Sequence, residues 1–179
     1  MRQLSMAAVL LAAAAPAAAH VGLAQREATI GSTYRAALVV GHGCDGATTT
    51  QIRVEIPEGF YNVRPMPKPG WTLEMKTGPY QKPFDNHGTA MTEGVRAITW
   101  SGGELPDSQF DEFVFRGAFG RDLPSESKFH FPVTQSCGDR QDAWTNTSGA
   151  EGVEYPAPAV TLQPAKGHGH YSVCLPTGV

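Results

Sequence analysis

The sequence predicts an all-β sandwich, on three observations. Short runs alternate apolar and polar residues with a period of two. Glycine and proline number 20 and 14 in 179 residues, which places many turns between short elements. No stretch carries the apolar period of a long amphipathic helix, and no internal repeat is present. Seven to nine short strands broken by turns fit two sheets packed face to face.

In chain order, residues 1–19 read as a secretion signal. Arg2 is the only charge before residue 20, an apolar run spans residues 6–15, Pro16 breaks it, and Ala17-Ala18-Ala19 supplies small cleavage-site residues. The run is too short and too alanine-rich for a good membrane span. A retained N-terminal helix is the minor alternative. The exported chain would then start at His20 and form one domain over residues 20–164, with a tail over 165–179.

Residues 20–23 alternate weakly as a first strand, and Gly31-Ser32 marks a turn. Residues 33–40 follow as a strand, with Tyr34, Leu38 and Val40 offered to the core. In residues 48–56, Thr50, Ile52, Val54 and Ile56 share one face against Gln51, Arg53 and Glu55. A short extended piece covers 60–63, and Pro67 and Pro69 stiffen the next connection. Residues 71–76 alternate on Trp71, Leu73 and Met75, residues 78–92 read as loop, and residues 94–100 as strand. Residues 110–119 set Phe113, Phe115 and Phe119 mostly opposite Glu112 and Arg116, a stripe that suits core better than a cofactor site. Residues 128–134 form one strand, Gly138-Asp139-Arg140 turns toward Trp144, and the proline-spaced residues 153–162 form an edge strand.

Composition excludes several classes. The formal charge is -3 and no basic block is interleaved with aromatics, so nucleic acid is a poor partner. Cys-x-x-Cys, His-Glu-x-x-His, Gly-x-Ser-x-Gly, nucleotide-binding and EF-hand patterns are all absent. Export makes a disulfide plausible among Cys44, Cys137 and Cys174. Cys44 and Cys137 both lie at turns beside strands and are paired on that ground; two other pairings stay open.

The site reading starts at His20. Cleavage before it frees an α-amine beside the imidazole. Amine and Nδ1 together can chelate one metal ion, and copper(II) favours such nitrogen ligands in a tetragonal arrangement. A cut one or two residues away keeps the export and loses the chelate. Residue 22 is Gly, so a chelate using a third-position histidine is not available. Two nitrogens leave copper undersaturated, and the fold must complete the site. Glu27 is the first candidate, because the turn after it could fold it back; its alternative is a solvated strand-end carboxylate. Glu112 interrupts the aromatic run and is the second. His42, His87 and His130 read more readily as surface or packed histidines, and His168/His170 as a flexible, nonspecific pair. Trp71, Trp100 and Trp144 read as structural on composition, although Trp144 follows a polar turn and could shield a cupric ion.

The pieces His20-Val21, Gly31-Ser32-Thr33-Tyr34, His42-Gly43-Cys44, Ile56-Pro57-Glu58-Gly59 and Pro69-Gly70-Trp71 occur in that order. They continue with Ile98-Thr99-Trp100-Ser101-Gly102-Gly103, Asp111-Glu112-Phe113, Phe131-Pro132-Val133-Thr134-Gln135-Ser136-Cys137 and Trp144. Together they resemble the bacterial YcnI-like proteins, the DUF1775 family, over nearly the whole exported chain. The resemblance implies an immunoglobulin-like β-sandwich and an exported copper-binding protein. It also implies a mono-histidine brace: two nitrogens from His20, an oxygen from Glu27 and a nearby Trp144. This chain departs from Gram-positive-like members in carrying Cys44 and Cys137, and in ending with His168, His170 and Cys174 where they have a membrane anchor.

The expected function is periplasmic copper(II) binding for homeostasis or delivery, without catalysis. The expected partners are the copper ion and a periplasmic copper chaperone or copper transporter, with no membrane insertion after signal cleavage. The alternatives are an oxidative copper enzyme of the polysaccharide-cleaving type and a structural β-sandwich module. The enzyme would need a second histidine, from His42, His87 or His130, to reach three nitrogens.

Overall fold

The computed structural model describes residues 20–150 and 152–165. The expected signal, His168, His170 and Cys174 lie outside them. Among the described residues every regular element is a strand: β1 (Gly22–Leu23), β2 (Glu27–Thr29), β3 (Thr33–Val40), β4 (Thr49–Glu55), β5 (Phe60–Pro65) and β6 (Thr72–Asn86) come first. They are followed by β7 (Thr89–Leu105), β8 (Asp111–Phe119), β9 (Lys128–His130), β10 (Val133–Cys137), β11 (Arg140–Trp144) and β12 (Ala159–Gln163).

One sheet runs β1-β3-β8-β5 and the other β11-β10-β4-β7-β6; a third, small sheet runs β2-β12-β9. Alternation predicts the inward faces well. Ile52, Val54 and Ile56 are buried on β4 and just after it, and Phe113, Phe115 and Phe119 on β8. They meet Phe60, Ile98, Trp100 and Phe131 in one continuous core. Several of these rings pack edge to face, as between Phe60 and Phe131 at 5.2 Å, the arrangement that ring quadrupoles favour. Fully burying one such phenylalanine is worth roughly 1.5–3 kcal/mol, so this cluster is a main source of cohesion between the sheets.

Three expectations are corrected. Residues 78–92 are the tip of the long β6–β7 hairpin, not a loop. Most of its side chains are exposed, so no apolar alternation marks it. The single strand expected over 128–134 divides into β9 and β10, which belong to different sheets. Pro132 sits at the crossing, where its missing N–H removes no ladder bond. Finally, β12 lies between β2 and β9 rather than at an edge. Its Pro156 and Pro158 precede the paired residues, and Val160 and Leu162 enter the core.

Cys44 and Cys137 form a disulfide, with Cα atoms 5.8 Å apart. It ties the β3–β4 connection to β10. That connection turns tightly at Cys44-Asp45-Gly46-Ala47, where the backbones of Cys44 and Ala47 exchange hydrogen bonds of 3.2 and 3.1 Å. Asp45 and Gly46 both have positive φ, as a two-residue hairpin turn requires. Gly43 is also required here, because a Cβ on it would lie 1.7 Å from the Ala47 carbonyl oxygen.

Candidate metal centre

β1 and β11 are edge strands of the two opposing sheets. His20 directly precedes β1, and Trp144 ends β11. The structure brings them together across this seam, with ring centroids 5.5 Å apart and planes at 69°. His20 is exposed, whereas Trp144 is 4% exposed. The indole thus forms a firm apolar wall beside an accessible imidazole.

The wall is held from behind by Gln135, which is fully buried on β10. Its Oε1 accepts the Trp144 Nε1–H at 3.1 Å. Its Nε2 donates to the His42 carbonyl oxygen and to Thr49 Oγ1, each at 2.7 Å. All polar atoms of this buried amide are therefore engaged, which specifies one orientation. Because the indole N–H is committed to Gln135, Trp144 can shield a metal with its ring but does not present that nitrogen as a ligand.

Two more rings pack on the same indole. Tyr155 lies 5.1 Å away, and His42 lies 6.3 Å away at 74°. Reading from sequence set His42 beside His87 and His130 with no means of choosing. The missed signal is its position two residues before Cys44, while Gln135 stands two before Cys137 and Trp144 ends the hairpin that follows. The disulfide carries His42 to the indole.

The other sequence candidates stand on other elements. From Gly22 to Ala24 the chain follows β3, with Gly22 opposite Val39 and the Ala24 N–H bonded to the Ala37 carbonyl at 3.0 Å. The Tyr34 hydroxyl then donates to the Gln25 carbonyl. Glu27 opens β2, where it borders a cavity with Tyr34, Arg35 and Gln163, while the preceding Arg26 lines the cavity that His20 borders. Glu112 pairs with Arg35 at 3.8 Å on β8, with β3 between it and β1. His87 is exposed between β6 and β7 and lines a cavity with Tyr61 and Phe84. Trp71 and Trp100 pack on Phe113 in the core.

A cavity of about 370 Å³ is lined in part by His20. Its described ionisable lining consists of His20, Arg26, Lys128 and His130. Burial, and then the charge of Lys128, hold the His130 pKa below its ordinary value. Copper(II) would meet cations there. Among the described residues no group of three or more His, Cys, Asp and Glu is placed to hold a metal. A copper site built around His20 would therefore need a further donor, such as the α-amine that a cut before His20 would free. With that amine, the nitrogen donors fit copper(II) in type.

DUF1775, a domain of unknown function, matches residues 20–162. A solved structure described as an uncharacterized protein from Nocardia farcinica with an immunoglobulin-like fold is similar to this chain. The two are 28% identical with a TM-score of 0.59, over 80% of this chain and 98% of the other. No functionally curated protein matches. The fold is an immunoglobulin-like β-sandwich, and the chain belongs to the DUF1775 family.

Proposed function

We propose that this protein, cleaved before His20 and exported to the periplasm, captures copper(II) and holds it for buffering or delivery. The observation that carries this reading is His20 standing exposed against the anchored indole of Trp144. The family match also begins at residue 20. Copper supplies the affinity for nitrogen donors; the chain supplies the rest. The α-amine has an ordinary pKa of roughly 7.7–8.0, so the metal displaces its proton at neutral pH. The imidazole closes a chelate ring, and Trp144 shields one side from water.

The exposed side of His20 leaves an edge open to a partner with competing ligands, such as a periplasmic copper chaperone or transporter. The resemblance adds Glu27 as an oxygen ligand.

Competitive copper titration tests the reading on two chains that both start at His20, one of them acetylated on its α-amine. Acetylation turns the amine into an amide, which has no basic lone pair, and adds no new amine. The acetylated chain should bind copper(II) at least about tenfold more weakly, or about 1.4 kcal/mol. Equal affinity would defeat the proposal.

A further inference from the structure

We propose that the outer edge of β6 is a dimerisation surface, on which a second copy of this chain lays its own β6 antiparallel about a two-fold axis at Met75. Residues 71–76 alternate as though Met75 belonged to a core, yet it is 54% exposed. β6 ends the sheet β11-β10-β4-β7-β6, so β7 pairs along one side of it and no described strand pairs along the other. Such an edge offers a row of backbone N–H and C=O groups to another chain.

The edge is complementary to itself. β6 begins at Thr72, and Pro79, which has no N–H to add to a ladder, closes the usable stretch at residues 72–78. Met75 is the centre of that stretch. The register shift against β7 does not interrupt it. Lys76 faces Ala97 and Thr77 faces Val95, so the extra residue, Arg96, is on β7 and β6 keeps its period of two. Leu73 and Met75 stand opposite the buried Trp100 and Ile98, on the core side of the sheet. Glu74 and Lys76 take the other face, and both are exposed.

Pairing about Met75 sets Glu74 of each copy opposite Lys76 of the other, which gives two cross-strand ion pairs. A slip of one residue sets a charge opposite Met75 and loses both pairs. On the core side the two Met75 side chains meet, and a flexible thioether adapts readily to such a contact. The arrangement uses the same patch on both copies, so it closes at two and does not extend into a fibre. A single strand offers less area than the roughly 800 Å² per partner of a standard interface, so the dimer forms reversibly with concentration. β6 and β11 are opposite ends of one sheet, which leaves the seam of His20 and Trp144 free.

The test is sedimentation velocity on the copper-free chain starting at His20, with Cys174→Ser to remove any disulfide between tails. A reversible monomer–dimer equilibrium should appear between about 10 µM and about 1 mM protein. Glu74→Lys and Lys76→Glu, each of which sets like charges opposite, should weaken the dimer about tenfold or more, and the double exchange should restore it to within about threefold. Met75→Cys should cross-link two copies when oxidised with diamide, because directly opposed Cα atoms lie about 4.5–5.5 Å apart. Thr72→Cys, which is far from its own counterpart in this register, should not. A chain that stays monomeric throughout would overturn the proposal. So would a dimer indifferent to the single charge changes, or one that Thr72→Cys cross-links as readily as Met75→Cys.

Discussion

Replacing Gln135 by Leu should loosen the site and cost substantial stability. The wild-type amide makes three buried or half-buried hydrogen bonds, to Trp144 Nε1, the His42 carbonyl and Thr49 Oγ1. Leu makes none. The indole N–H belongs to a residue 4% exposed, so it has little access to water. An unmet buried donor costs about 1–3 kcal/mol, and each of the other two lost bonds about 1 kcal/mol. The better burial of an apolar side chain offsets part of this, leaving a net loss of about 2–4 kcal/mol. Urea unfolding followed by tryptophan emission reads it. With a slope of about 1–3 kcal/mol/M, the midpoint should fall by about 1–2 M with the slope unchanged. Gln135→Glu gives a sharper second test. It keeps the acceptor for Trp144 but aims a carboxylate at the His42 carbonyl. Burial beside that oxygen should raise its folded pKa, so the variant should be most stable below the ordinary Glu pKa of about 4.3 and weaken as pH rises. A Leu variant within about 0.5 kcal/mol of wild type, or a Glu variant with no such pH dependence, would refute the anchoring role of Gln135.

Other perturbations read other parts of the fold. The Cys44–Cys137 bond closes a separation of 93 residues, so the double Ala variant should lose about 4–5 kcal/mol by chain entropy, measured by denaturant unfolding. Burial pushes the Tyr34 phenol from 10.0 up to about 12. Its contribution, at most about 3 kcal/mol, should be complete below pH 10 and lost as pH rises toward about 12; Tyr34→Phe should abolish that dependence. Burial and Lys128 hold His130 below 6.5, so its neutral form supports folding above that pH and the support is lost as pH falls. His130→Gln should flatten the acid limb of a thermal-unfolding series. If copper handling is the role, ascorbate and oxygen should give no sustained peroxide turnover from the loaded protein. Steady turnover would favour the oxidative enzyme.

What the sequence makes legible follows from burial. Ile52, Val54 and Ile56 face a core, so their alternation is visible, as is that of Phe113, Phe115 and Phe119. The β6–β7 arm lies open to solvent beyond the core, with Lys76, Gln81, Lys82 and Glu93 exposed, so no pattern marks it. Its register also shifts between Pro79 and Phe84, which breaks any period of two. The pairing of Cys44 with Cys137 was readable from turn context, and it contained the route to His42. The joint role of Gln135 was not readable, because a buried amide shared between an indole and a distant turn leaves no local pattern. The short strand that Glu27 opens was hidden for a similar reason: β2 pairs in parallel with β12, more than a hundred residues on.

The most direct measurement is continuous-wave electron paramagnetic resonance on copper-loaded protein recovered after export, with its first residue read by mass spectrometry. Copper capture at His20 predicts a chain beginning at His20 and a single tetragonal signal that disappears in His20→Ala. The same signal from a chain that begins elsewhere, or one that survives His20→Ala, would contradict it.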